Sequence, residues 1–257
     1  MKYADEFQTA QEIAVKAGKL LKELSSKSVK VKLKGAVDLV TEADLASEKL
    51  VLEEINKRFP NHAVLSEEAG RNKIDSENLW IIDPLDGTTN YAHGFPIYAV
   101  SIGFAYRNEV VIGAVYDPNL NELFLSQKGG GATLNGKPIR VSAVEDIDKS
   151  LLATGFPYNL RQQPEPSSDY FKAFTLKAQG VRRAGAASLD LCNVACGRLD
   201  GFWEVGLKPW DTAAGSLILT EAGGKLSKYD GSSFDMWTPE VVATNGLIHE
   251  QMTEILT

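Results

Sequence analysis

Cysteine and histidine are scarce in this chain, at two and three among 257 residues. Cys192 and Cys196 stand four apart beside Leu191, Val194 and Ala195. That spacing shares one helix face, and the apolar setting points to packing rather than to a disulfide or metal pair. His62, His93 and His249 are scattered, which excludes the paired histidines of a zinc protease. The phosphate-binding pattern Gly-x-x-x-x-Gly-Lys-Ser/Thr is missing, and Gly129-Gly130-Gly131 lacks the third spaced glycine of a dinucleotide fingerprint, so it reads as a bulge or loop. No window approaches the roughly 20 apolar residues of a membrane span, and Met1 to Thr9 holds no apolar core of signal-peptide length. A cytoplasmic protein with no membrane contact is therefore expected. Positive charge is also in deficit, with 27 Lys and Arg against 34 Asp and Glu and a net charge of −7. That balance argues against nucleic-acid partners, which need a basic surface.

What remains is ample for a core: 44% of the residues are apolar. Phe7, Ala10, Ile13, Ala14, Ala17, Leu20, Leu21 and Leu24 recur with helical spacing and predict a long helix over about 4–26. A second helix is expected from near Thr41, burying Leu45, Leu50, Val51 and Ile55, until Pro60 stops it. A short strand over Ala63–Leu65 and a buried strand over Leu79–Ile82 follow. Apolar or alternating runs at 98–106, 110–116 and 122–126 then read as an antiparallel meander, with a tight turn at Asn135-Gly136. Beyond it strands are expected near 151–154, 181–183, 201–205, 225–227 and 241–243. Helices should alternate with them near 169–179, 188–195, 212–221 and 247–256. The pattern predicts an α/β fold of helical layers and mixed sheets. A polar stretch, Glu145 to Lys149, marks the seam between halves 1–145 and 146–257.

Four acidic segments carry the chemistry. In Trp80 to Asn90 an apolar run meets Asp83 and Asp86, with Pro84 fixing the turn between them and Gly87-Thr88-Thr89 behind. Two such carboxylates aimed at one spot suit a hard divalent cation. The amides of Gly87, Thr88 and Thr89 suit an anion if a helix starts there. Taken alone, Asp-Pro and Asp-Gly are also ordinary turn dipeptides. Asp38 to Asp44 contains Thr41 and Asp44 at capping-box spacing, a local role compatible with a catalytic one. Glu67-Glu68 follows a short strand, where adjacent carboxylates are either solvated or bound to a cation. Asp211, after Trp210, has the position of an N-cap for the next helix.

Together these segments resemble the inositol monophosphatase family of magnesium-dependent, lithium-sensitive phosphatases. The marks are Glu67-Glu68 after a strand, Asp83-Pro84-Leu85-Asp86-Gly87-Thr88 extended to Pro96, and Trp210-Asp211-x-Ala213-Ala214-Gly215. The resemblance runs from Thr41 to Gly224. It implies an αβαβα sandwich of the sugar-phosphatase type, a homodimer, and two to three Mg²⁺ ions. Glu67, Asp83 and the Leu85 carbonyl would hold the first ion, Asp83, Asp86 and Asp211 the second, and Glu67 would reach a third through water. Thr88, hydrogen-bonded to Asp44, would orient and deprotonate the attacking water. The amides of Gly87 and Thr88 would take the phosphate, and Asp86, Gly185, Ala187 and Glu204 would contact the hydroxyls of a small phosphorylated polyol. The expected reaction is hydrolysis of inositol monophosphate without a covalent phosphoenzyme. An aspartyl-phosphate phosphatase of the haloacid-dehalogenase type would place its aspartates two apart, against three here. Lys208, Arg182 and Arg183 leave room for a second anionic group, as in fructose 1,6-bisphosphate, NADP(H) or 3′-phosphoadenosine 5′-phosphate. Histidinol phosphate is a further alternative on the same core. A regulatory or scaffold role with a protein or RNA partner is the reading outside enzymology; against it, Glu67, Asp83, Asp86 and Asp211 are all present.

Overall fold

The computed structural model describes residues 2–26, 31–33 and 39–257. It begins with helix α1 (Ala4–Ser25), the strand pair β1 (Val31–Leu33) and β2 (Leu39–Thr41), and helix α2 (Glu42–Arg58). Strands β3 (Ala63–Ser66), β4 (Gly70–Arg71) and β5 (Asn78–Asp86) lead into the short helix α3 (Thr88–Ala92). The meander follows as β6 (Ala99–Tyr106), β7 (Glu109–Asp117), β8 (Glu122–Gln127), β9 (Ala132–Leu134) and β10 (Lys137–Pro138). The remainder comprises β11 (Leu151–Thr154), α4 (Ser167–Lys177), β12 (Gly180–Arg182), α5 (Ala187–Ala195), β13 (Gly201–Val205), α6 (Pro209–Glu221), β14 (Lys225–Ser227), β15 (Glu240–Thr244) and α7 (His249–Leu256).

Eight strands form one sheet in the order β10-β9-β8-β7-β6-β5-β3-β4, antiparallel except where β3 runs parallel to β5. Five form a second, mixed sheet in the order β12-β11-β13-β15-β14. Helices α1 and α2 cover the outer face of the large sheet, α5 and α6 lie between the sheets, and α4 and α7 cover the small sheet. The result is the expected αβαβα sandwich. Because the large sheet is covered on both faces, its strands read as nearly continuous apolar runs rather than alternations. Within β5, Trp80 and Ile82 pack in the core beneath α1 and α2. Leu79 and Ile81 point the other way, toward Ala213 of α6.

Two expectations are corrected here. Leu45 is 48% exposed rather than buried. It lies across the helix from Ala43, Ser47, Val51 and Ile55, and the inward face is shared with Asp44 and Glu48. Helix α6 starts at Pro209, three residues before the expected Thr212, since proline suits the first helical turn. This helix lies very close to the sheet. Gly103 and Gly113 pair across β6 and β7 beneath it. A Cβ on Gly113 would come within 2.5 Å of the Ala214 carbonyl oxygen, and one on Gly103 within 3.1 Å of Ala213 Cβ. The missing side chains set the depth of α6, and thereby of Asp211.

Candidate active site

The parallel pairing of β3 with β5 sets Ser66 opposite Ile82, so the residues that follow, Glu67 and Asp83, come out side by side. The Glu67 amide still donates to the Ile82 carbonyl at 3.2 Å. Strand β5 does not stop at Ile82 as expected. It continues through Asp86 with a register shift: Asp83 opposes Ser101 and Asp86 opposes Ala99, three residues against two. In a regular strand, residues an odd number apart face opposite sides. The extra residue of a bulge brings both aspartates to one side. Pro84, which has no N–H to give a ladder, occupies that bulge, and the Leu85 amide donates to Asp83 Oδ1 at 3.0 Å. Gly87 then turns the chain at φ 93° into α3, close enough that a Cβ would lie 2.9 Å from the Ile97 carbonyl.

Asp44, Asp86 and Asp211 are tied into the frame as well. Asp44 is the N3 residue of a capping box with Thr41 and accepts from its amide at 2.8 Å; its other oxygen accepts from Thr88 Oγ1 at 2.9 Å. Thr88 Oγ1 also lies 3.1 Å from the Leu85 carbonyl. Asp86 Oδ2 accepts from the amide and hydroxyl of Ser188, at 2.8 and 2.5 Å, which fastens the first turn of α5 to the site. Asp211 is not the N-cap expected of it. It is N3 of α6, and its carboxylate accepts from the Lys208 amide at 2.7 Å. Asp38 lies outside the described residues.

These segments enclose a cleft of about 250 Å³. Glu67, Asp83, Leu85, Asp86, Gly87, Thr88 and Asp211 form one wall, and Gly185, Ala187 and Glu204 line the other. Asp44 stands behind Thr88 and is fully buried. Burial raises the Asp83 carboxyl well above the usual range, reinforced by Glu67, Asp86 and Asp211. Burial likewise raises Asp211, with Asp86 next in effect, and brings Asp86 to about 6 against the pull of Ser188. Three carboxylates that resist ionising together, with Glu67 close enough to add to the effect on two of them, would be relieved by a bound divalent cation. Among the described residues no group of three or more acidic, histidine or cysteine side chains is gathered closely enough to hold a metal ion by itself. An open, oxygen-only donor set fits Mg²⁺, which keeps several waters and takes substrate oxygens.

Gly155 in the cleft, and Ser188 and Glu48 behind it, were not anticipated. Both anticipated arginines are exposed; Arg183 lines the cleft, and Arg182, at the end of the edge strand β12, does not. Burial raises Glu204 strongly, Asp190, Asp211 and Asp86 add to this, and Arg183 opposes it. Gly155 makes room for Glu204: a Cβ there would lie 2.1 Å from both carboxylate oxygens. Ser188 had a legible signal, a hydroxyl residue at the start of a helical run. So did Glu48, buried on α2 four residues after Asp44, because like charges at that spacing disfavour a helix unless something uses them.

The chain matches the Inositol monophosphatase family over residues 3–257, and it belongs to that family of metal-dependent phosphatases. It is 47% identical over 249 residues to an inositol-1-monophosphatase of Synechocystis, covering 96% of this chain and 87% of that one. It is 40% identical to Nus factor SuhB of Escherichia coli, covering 93% and 92%. The solved inositol monophosphatase of Anabaena superposes with a TM-score of 0.91 at 44% identity, covering 100% of this chain and 96% of that one. The protein is a phosphatase. Among the described residues no helix is long and apolar enough to cross a membrane.

Proposed function

We propose that this phosphatase hydrolyses inositol monophosphate to inositol and phosphate, with Mg²⁺ as its metal. The observation that carries the substrate is the makeup of the second wall. Glu204 faces the metal wall across the cleft, where a carboxylate accepts from ring hydroxyls and repels a second phosphate. Glu67, Asp83 and the Leu85 carbonyl would hold one ion, Asp83, Asp86 and Asp211 another, and Glu67 a third through water. When bound, the ions supply Lewis-acid charge to the phosphoryl group and acidify water.

The chain's own groups do the rest. The amides of Gly87 and Thr88, at the start of α3, bind phosphate oxygens. Thr88 Oγ1 donates a hydrogen bond to Asp44 and keeps its lone pairs for an attacking water; as the water's proton passes to Oγ1, the threonine proton passes to Asp44, whose basicity burial raises. Asp86, Gly185, Ala187 and Glu204 orient the alcohol. No covalent phosphoenzyme forms. The protein acts as a cytoplasmic homodimer in which residues 1–145 bring most of the ligands and 146–257 bring Asp211 and the alcohol contacts.

Turnover of inositol monophosphate, fructose 1,6-bisphosphate, NADP(H), histidinol phosphate and 3′-phosphoadenosine 5′-phosphate, compared as kcat/KM, is the test. Preference for any of the last four overturns the substrate. Li⁺ is expected to inhibit uncompetitively by trapping the phosphate-bound state, and competitive inhibition would remove that expectation. A second, compatible role rests on the name of the Escherichia coli relative, a Nus factor. In that reading the chain also binds a protein or RNA partner, and the inactive Asp83→Asn variant should still recover that partner.

A further inference from the structure

One turn of α2 touches two of the segments that build the metal wall, at three points. Asp44 holds Thr88. Ser47 Oγ donates to the Pro84 carbonyl at 2.7 Å, inside the bulge between Asp83 and Asp86. Glu48 reaches the turn that carries Glu67: its Oε1 accepts from Ser66 Oγ at 2.5 Å and from the amides of Glu68 and Ala69 at 3.2 and 2.9 Å. Its donors thus flank Glu67 on both sides. Asp44 and Ser47 are fully buried and Glu48 nearly so. Residues three and four apart share a helix face, so a single rigid element presents all three groups in fixed register.

The arrangement answers a physical difficulty. Glu67, Asp83, Asp86 and Asp211 repel one another before a cation arrives, and that repulsion bears on the turn after β3 that carries Glu67. The turn's N–H groups need acceptors once buried, and a carboxylate supplies the strongest kind. We propose that Glu48 is a positioning residue: it clamps the Ser66–Ala69 turn so that Glu67 stays at the metal wall, and it thereby sets the affinity for Mg²⁺. This rests on the metal reading above. Glu48 itself stands behind the wall and outside the cleft lining.

The test is direct Mg²⁺ binding by calorimetry to substrate-free, metal-stripped protein, alongside thermal melting. Glu48→Ala removes all three bonds and should weaken Mg²⁺ binding about 10–100-fold, the range for groups that orient metal ligands. Glu48→Gln retains an oxygen at the same reach and should bind as the wild type does. Ser66→Ala removes one bond of the three and should fall between. A folded Glu48→Ala protein that binds Mg²⁺ with wild-type affinity overturns the clamp, even if its melting point drops. Should Glu48→Ala fail to fold, Ser66→Ala decides, and unchanged affinity there overturns the proposal. A wild-type protein that binds no Mg²⁺ overturns the metal reading itself and the clamp with it.

Discussion

The two walls of the cleft are built differently. The metal wall grows from the interior of the large sheet, and its carboxylates are fixed by the frame: Asp44 by Thr41, Asp86 by Ser188, Asp211 by the Lys208 amide. The opposite wall grows from the ends of the small sheet, where Glu204 is held by space left for it at Gly155 and by the charge of Arg183. Hydrogen bonds specify the carboxylate positions in one wall; in the other they hold the backbone at Ala184 and Gly185, while the Glu204 carboxylate is seated by shape and charge balance. Reaction chemistry demands the former, because misplaced ligands lose transition-state stabilisation. Selection among alcohols tolerates the latter.

Substitutions that break one wall and spare the other will sharpen this contrast. Asp83→Asn should have the largest effect, lowering kcat by several orders of magnitude on every substrate, since each ion stabilises transition-state charge. The variant should still fold, because one of four mutually repelling carboxylates has been neutralised. Wild-type turnover in the purified variant would dissolve the metal wall as described.

Glu204→Gln should act on the other wall alone. Turnover of inositol monophosphate is expected to fall by about 1.5–3 kcal/mol, while a simple aryl phosphate is unaffected. Equal losses on both would mean that Glu204 supports the metals. A marked gain on fructose 1,6-bisphosphate would show that Arg183 or Lys208 already supplies counter-charge for a second phosphate.

Gly113→Ala tests the packing that carries Asp211. The new methyl collides with the Ala214 carbonyl, and the overpacking should cost about 1–3 kcal/mol. At about 2–4 °C per kcal/mol for a chain of this size, calorimetry would detect the shift. An unchanged melting point would show that α6 can move outward freely.

The smallest effect lies away from the cleft. His249 is buried, with Nδ1 against Thr244 and Nε2 against Ser227. Ser227 Oγ donates to the Lys228 carbonyl, so it accepts from Nε2–H and the ring is neutral. Burial, helped by Lys225, lowers its pKa to about 4. The unfolded chain, with histidine near 6.5, therefore takes up the proton first. Stability from this group is complete above about pH 6.5 and is lost progressively as pH falls toward 4. The urea midpoint of His249→Gln should then fall less with acid than that of the wild type, and parallel slopes would refute the assignment.

Elements defined by apolar periodicity were legible from the residues. Strands β13 and β14 begin and end where their patterns do, and α1 differs by one residue at its end. The Asp83 loop was legible as a site, but not its geometry. A bulge inside a strand leaves the same composition as a strand that stops, and only the partner's register separates the two. Asp211 was misplaced because Asp is favoured both at N-cap and in the first turn, and Pro209 decided between them. Leu45 misled because α2 spends its inward face on Asp44, Ser47 and Glu48, so apolar residues no longer mark that face. Arg183 was ambiguous since one residue separates a solvated strand edge from the cleft.

The glycine pair beneath α6 has a consequence for how this site can change over generations. With no side chain on the sheet at Gly103 and Gly113, the spacing there is already at its minimum. Any replacement at either position can only lift α6, and with it Asp211, away from Asp83 and Asp86. Variation at this contact runs in one direction: lineages can loosen the ion site here, but they cannot tighten it, and affinity must be gained elsewhere.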